Sequence, residues 1–215
     1  MSKIKAILFA SSSSVYGDLG QIGPCEEGDA NGSQLKSNYA MTKWINEIQF
    51  KTWQNTLNIP IFGLRFFTVY GEWGRPDMAY SIFTEKILRG ESINIYGKDG
   101  GLRTMTHIND ATTQIIKLVK YLKSSNYDSN LGFEVFNIGS VNSITAIGMA
   151  ELISKLVNKK AIYNFEPRPN GDAIATSADL TKINKYIGTF KMQDISESLE
   201  RYVEWHQNNV NLFAK

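Results

Sequence analysis

A short apolar run, Ala6-Ile7-Leu8-Phe9, lies near the start of the 215-residue chain and leads directly into four serines, in "ASSSSVYG" (Ala10 to Gly17). Its apolar residues do not alternate with polar ones. A strand over residues 4–10 would therefore be covered on both faces, which is the pattern of a parallel sheet inside an α/β protein. Periodicity alone leaves a buried helix segment open. The next segments narrow the choice. Residues 17–37 are rich in Gly, Pro, Asn and Ser and read as a long loop. Met41, Trp44, Ile45, Ile48 and Trp53 then recur at helical spacing, so a helix is expected from about Tyr39. Pro60 precedes a second apolar strand, "IFGLRFFTVYG". Strand, loop, helix and strand in this order form a right-handed crossover of parallel type, and the class is α/β.

Beyond Gly71 the pattern changes. A Gly/Pro loop precedes a helix near 78–88, then come the short strand "INIYG" and a helix near 110–122 with Asp110 as its expected N-cap. Residues 124–130, "SSNYDSN", read as a polar connector. "FEVFNIG" is another strand, a helix spans about 146–157, and a last helix near 195–207 opens with Asp194 and Glu197 in capping-box spacing. With 42% hydrophobic and 12% aromatic residues, the chain has the material for a packed core. Its 23 basic and 21 acidic residues are interspersed, giving a net charge of +2 and no block suited to a polyanion, so nucleic acid is not an expected partner. Cys25 is the single cysteine, which excludes an intrachain disulfide and a cysteine-based metal cluster and fits a reducing compartment. The apolar run is too short for a membrane span or a signal-peptide core. The expectation is a cytoplasmic protein without a membrane partner.

Tyr39 and Lys43, in "YAMTK", stand four apart and project from one face of the expected helix. A free phenol with a pKa near 10 is ionised about one part in a thousand at pH 7, and a neighbouring ammonium stabilises the anion. Such a tyrosine can serve as a base. A serine hydroxyl at the end of the adjacent strand would hold the substrate oxygen that loses its proton. Taken alone, Tyr-x-x-x-Lys is also a common surface pair of a helix. His107 and His206 are the only histidines, have no ligand-spaced partner, and do not suggest a zinc site. His206 reads as a helix-surface or packing residue, and Met78, Met105 and Met149 as core fillers.

Together "FASSSSVYG", "YAMTK", "LRFFTVYG" followed by "WGRPDMA", "INIYG" and "FNIG" resemble, in order and spacing, the extended short-chain dehydrogenase/reductases, the NAD-dependent epimerase/dehydratase family. "RFFTVYGEWGRPDMA" is most similar to the UDP-glucuronate 4-epimerases. The resemblance implies Ser12, Tyr39 and Lys43 as catalytic residues, with Tyr39 and Lys43 also touching NAD. It implies substrate contacts at Ser13, Thr68, Arg75, Tyr96, Arg103 and Arg168, the arginines facing diphosphate or carboxylate oxygens. For each arginine a solvated surface charge is the alternative, and for Tyr96 a core aromatic. Sugar 4,6-dehydratases of the family carry an Asp-Glu pair just before "VYG"; here Ser13 and Ser14 stand there, leaving no acid to expel a hydroxyl. Other departures are "RTMTHIND" in place of Arg-Asp-Phe-Thr-Tyr-Ile-Asp-Asp, Glu72 where Pro is usual, and one extra residue in "RPNGD".

By the same resemblance the chain begins at the family's fifth strand, and the strands bearing the dinucleotide fingerprint are not encoded in it. "GDLGQIG" (17–23) has the glycine spacing, but it runs into Pro24, Cys25, Glu26 and Glu27 instead of a helix, and reads as an ordinary loop. The expected fold is therefore the C-terminal part of a Rossmann-type parallel sheet with a smaller α/β substrate-binding domain. Residues 1–74 would be the Rossmann remnant with Ser, Tyr and Lys; 75–215 would be mainly the substrate domain, with 104–140 partly returning to the sheet. Two consequences are expected. The chain would form a homodimer or pair with a separately encoded N-terminal half, and alone it would bind NAD weakly. The implied function is NAD-mediated C4 epimerisation of UDP-glucuronate or a related UDP-sugar. The alternative is a non-catalytic truncated remnant that binds a sugar nucleotide or a partner chain.

Overall fold

The apolar runs pair as parallel strands. In the computed structural model, which describes residues 4–19, 23–125, 127–128, 131–169 and 175–209, β1 (Ile7–Ser12) lies beside β2 (Ile61–Phe66), with Ile7 opposite Ile61 and Ser12 opposite Phe66. The helix α1 (Asn38–Leu57) connects them. Ser37 starts it, its hydroxyl accepting the Ala40 N–H at 3.1 Å, and Asn58 ends it in the left-handed conformation at φ 50°. On the other edge of β2, β6 (Phe133–Ile138) adds a third parallel strand. Alternation along β2 separates two environments. Phe62 and Leu64 enter a core with Val15, Leu118, Phe136 and Ile183. Gly63 and Arg65 face α1. A Cβ at Gly63 would stand 2.8 Å from the Phe9 ring, and that ring stacks on Phe50 of α1 at 4.2 Å.

Three expectations change here. The first strand begins at Ile7, includes Ser11 and Ser12, and is half-buried along Ile7–Phe9, not covered on both faces. Among the described residues β1 pairs only with β2, whereas the central strand β2 is buried from Ile61 to Arg65. "IFGLRFFTVYG" is not one strand. Phe67 donates its N–H to Ile138 O at 2.9 Å, and the chain then leaves as β3 (Thr68–Tyr70) to join another sheet. Asp110 does not cap the third helix. The strand β5 (Leu102–His107) runs straight into α3 (Ile108–Leu122), so the cap is His107, whose Nδ1 accepts the Asn109 N–H at 3.2 Å. Asp110, buried in the first turn, accepts the Gln193 N–H at 3.0 Å instead.

β5 is the hub of the second sheet. It pairs parallel with β3, antiparallel with β7 (Ser143–Thr145) and parallel with β9 (Ala175–Thr176). A two-stranded sheet of β4 (Ser92–Tyr96) and β8 (Ile162–Glu166) lies nearby. Their apolar residues meet α2 (Ala79–Arg89), α4 (Ala146–Leu156) and α6 (Ile195–Asn208) in a second core that includes Tyr80, Ile87, Ile93, Ile153 and Tyr202. Met105 and Met149 are core fillers there, and His206, 2% exposed, packs at the same core with its ring 5.9 Å from that of Tyr202. A short helix, α5 (Thr181–Ile187), carries Ile183 to the first core and has no counterpart in the sequence expectations.

Candidate functional site

The carboxyl ends of β1 and β2 open into a cavity of about 780 Å³. Ser11 to Ser14 come from the end of β1 and the 3-10 turn that follows it, Tyr39 and Lys43 from the first turns of α1, and Thr68 and Arg75 from β3 and the loop beyond it. Ser12, Tyr39 and Lys43 thus line one space, together with Ser13. Tyr39 is 54% exposed and lines the cavity. Lys43 Nζ stands 5.7 Å from the Tyr39 ring centroid and donates to the Ala10 carbonyl at 3.0 Å, which ties the helix to the strand that carries the serines. Ser12 Oγ is 3.1 Å from Ser14 Oγ.

A second cavity, of about 730 Å³, adjoins the first, and Thr68, Met78 and Tyr80 line both. Its wall includes Lys86, Asn94, Tyr96 and Arg103. Tyr96 is 39% exposed at the end of β4 and is not a core aromatic. Arg168 lies outside the lining and places Nη2 3.4 Å from the Tyr96 carbonyl. Asn170 to Asp172 of "RPNGD" fall outside the described residues, as do Gly20 to Ile22 of "GDLGQIG". Arg75 is exposed and closes its guanidinium on the Asp77 carboxylate through two bonds, at 3.0 and 2.9 Å.

The sequence expectations missed a buried polar network beneath the first cavity. Glu47, 4% exposed, receives Arg65 through Nε at 2.9 Å and Nη2 at 2.7 Å, and also accepts from the Ser11 hydroxyl. Arg65 Nη1 donates to Tyr16 Oη at 2.9 Å and to the Glu27 carbonyl at 2.8 Å. Tyr16 Oη donates in turn to Asn137 Oδ1 at 2.7 Å. Burial pushes the Tyr16 phenol well above its ordinary value, against the pull of Arg65, so it stays protonated. Two signals pointed to this network. Glu47 repeats the spacing of Tyr39 and Lys43 one turn further along, and Arg65 is a lone charge inside an apolar strand.

A parallel sheet with hydroxyl, phenol and ammonium groups at its carboxyl end, and a cavity there that adjoins a second one, is the layout of a Rossmann-type fold, in which ligands lie across the strand ends. The chain belongs to the NAD dependent epimerase/dehydratase family, which residues 1–139 match. It is 37% identical over 214 residues to UDP-glucuronate 4-epimerase 1 of Arabidopsis thaliana, covering 94% of this chain and 48% of that one. An uncharacterized protein of Methanocaldococcus jannaschii is 38% identical over 206 residues, covering 96% of this chain and 60% of that protein. Among solved structures, UDP-glucuronic acid 4-epimerase from Bacillus cereus, in complex with UDP-glucuronic acid and NAD, superposes with a TM-score of 0.86 at 28% identity, over 96% of this chain and 63% of that one. The chain therefore spans about half to two-thirds of the length of these relatives.

Proposed function

We propose that this chain carries the acid–base residues and the substrate cleft of an NAD-dependent UDP-sugar 4-epimerase acting on UDP-glucuronate or a related UDP-sugar. One observation supports this above the others: a cavity lined by Ser12, Tyr39 and Lys43 continues through Thr68, Met78 and Tyr80 into a second cavity bearing Arg103 and Lys86. An elongated cleft with hydroxyl chemistry at one end and cations at the other suits a sugar joined to a diphosphate. In this reading the chain divides near residue 74 into a catalytic and a substrate-binding part.

The donor set at the first cavity, an exposed phenol and an ammonium on one helix face, suits a nicotinamide ribose, so Tyr39 and Lys43 would hold that end of NAD. When bound, NAD would supply the redox chemistry at C4 of the sugar, as acceptor and then donor of hydride. Tyr39 removes the C4 hydroxyl proton through Oη and later gives it back. Ser12 hydrogen-bonds that oxygen and keeps it against Tyr39, and Ser13 supports the neighbouring hydroxyl. Lys43 compensates the negative charge that develops on Tyr39 Oη. Thr68 contacts the sugar at the junction of the cavities, Arg103 faces the diphosphate, Tyr96 packs on the uridine, and Arg168, beside the lining at the Tyr96 carbonyl, would reach the diphosphate only by turning inward. Arg75 is held by Asp77 and would meet a substrate anion only by releasing that carboxylate.

A partner, either a second copy or a separately encoded chain that adds strands to β1, belongs to this proposal. It is supported by the unpaired edge of β1 and by the apolar residues that α1 exposes among the described residues. The test is conversion of UDP-glucuronate and UDP-glucose in the presence of NAD, by the wild type and by Tyr39→Phe and Ser12→Ala. Turnover lowered about a hundredfold to ten-thousandfold by Tyr39→Phe is the expected result. Binding of UDP-sugars with no turnover under any condition would favour the non-catalytic alternative, and absence of UDP-sugar binding would defeat the epimerase reading.

A further inference from the structure

The acid–base scheme leaves one charged group of the first cavity without a role. Glu72, in the turn after β3, lines that cavity with its side chain 27% exposed. Its Oε2 stands 3.3 Å from Nε2 of His107. Both residues depart from the pattern that the rest of the sequence follows, and the fold brings them together at the ends of the paired strands β3 and β5.

The hydrogen bonding of His107 sets the charge of the pair. Its Nδ1 accepts the Asn109 N–H at 3.2 Å, so that nitrogen bears no proton and the ring hydrogen sits on Nε2, facing the carboxylate. The ring is 1% exposed, packs edge-on against Tyr70 at 5.4 Å, and is overlain by Gly71, where φ is 137° and an added Cβ would lie 3.1 Å from Nε2. Burial lowers the His107 pKa below its ordinary value, and Glu72 only partly offsets this. A neutral imidazole beside a carboxylate leaves one net negative charge. Lys43 keeps its positive charge in the same cavity, but neither it nor Arg75 is ion-paired with Glu72. Lys43 donates to the Ala10 carbonyl, and Arg75 is closed on Asp77.

We propose that Glu72 is a specificity-determining residue, a carboxylate that accepts hydrogen bonds from sugar hydroxyls and repels a sugar carrying its own carboxylate. The substrate class it selects is a UDP-hexose with an uncharged group at C5, in preference to a UDP-hexuronate. This rests on the UDP-sugar reading of the preceding subsection and narrows it. Two carboxylates confined in one cavity disfavour each other, and a built-in repulsion of this kind is an ordinary route to discrimination. The role of His107 is to hold the Glu72 carboxylate at the wall without neutralising it.

Titration calorimetry of the full chain with UDP, UDP-glucose and UDP-glucuronate tests the assignment, using wild type, Glu72→Gln and Glu72→Asp. The wild type should bind UDP-glucose about tenfold or more tighter than UDP-glucuronate, a difference near 1.4 kcal/mol. Glu72→Gln should close most of that gap by strengthening UDP-glucuronate binding, and Glu72→Asp should preserve it. UDP is read at the second cavity, so its affinity checks that each variant is folded. Equal or tighter binding of UDP-glucuronate by the wild type, or a ratio that Glu72→Gln does not move, overturns the assignment while leaving the UDP-sugar reading intact. Failure of UDP itself to bind the wild type removes that reading and this inference with it.

Discussion

At the scale of single residues, the Glu47–Arg65 pair differs from an ordinary surface salt bridge. Both side chains are about 95% buried or more, so each has given up its hydration and depends on the other. Arg65 also satisfies Tyr16 and the Glu27 carbonyl, and Glu47 holds Ser11, the residue before Ser12. Removing one partner leaves a buried charge unpaired. Glu47→Gln should therefore cost about 3 kcal/mol in urea denaturation, and Glu47→Leu combined with Arg65→Met should cost less than the sum of the two single changes. Additive losses would show that the two groups act independently. The candidate site residues of this region were legible only where a motif carried them. Tyr39 and Lys43 stood out through their spacing and their surrounding text. Glu47 shares their helix face, but a charged residue on a helix reads as solvated unless its partner is known. That partner lies on a strand 18 residues away, and only the packing of α1 on β2 reveals it.

At the scale of elements, the sequence showed which segments were regular better than it showed which way they faced. The apolar residues Met41, Ile45 and Ile48 that announce α1 are 44–53% exposed, while Glu47 is buried on the side facing the sheet. Periodicity finds a helix but cannot say which stripe meets the sheet. β5 escaped notice because Leu102–His107 reads Leu-Arg-Thr-Met-Thr-His, with little apolar content, and its burial comes from lying between β3 and β7. β5 and α6 also carry the two buried histidines, which make stability depend on pH. Burial lowers the pKa of both His107 and His206; Glu72 and Asp110 oppose this at His107 while Arg201 reinforces it, and Glu85 opposes it at His206 while Arg89 reinforces it. A depressed folded-state pKa means that the stabilisation is complete above the unfolded value, near 6.5, and is lost as pH falls through it, by at most about 1.4 kcal/mol per pH unit for each group. Glu27 and Asp110 shift upward by burial and act in the opposite sense, their contribution being present at low pH and lost as pH rises. The melting temperature should fall between pH 7.5 and 5.5, and His206→Phe should flatten part of that slope. An identical slope in that variant would remove His206 from the account.

At the scale of the whole molecule, two surfaces that are costly to leave in water lie close together. β1 presents one edge with no strand against it among the described residues, and α1, packed on β1, exposes Met41, Ile45 and Ile48 at i, i+4 and i+7, a single stripe along the helix. Half-exposed aliphatic side chains of this size contribute about 1 kcal/mol each when covered, so two symmetric stripes supply roughly 6 kcal/mol. Association must first offset about 4 kcal/mol or more of lost translational and rotational freedom, which limits the stripe alone to weak pairing. Pairing of the β1 edge adds main-chain hydrogen bonds that the stripe lacks, and brings dimerisation into the range of roughly tens to hundreds of micromolar. Sedimentation velocity over that range should show a weight-average mass rising with concentration. Ile45→Lys with Ile48→Glu should abolish the rise while leaving UDP affinity unchanged, because neither residue lines either cavity. A concentration-independent monomer in the wild type would mean that the surface is tolerated in water and would defeat self-association through it.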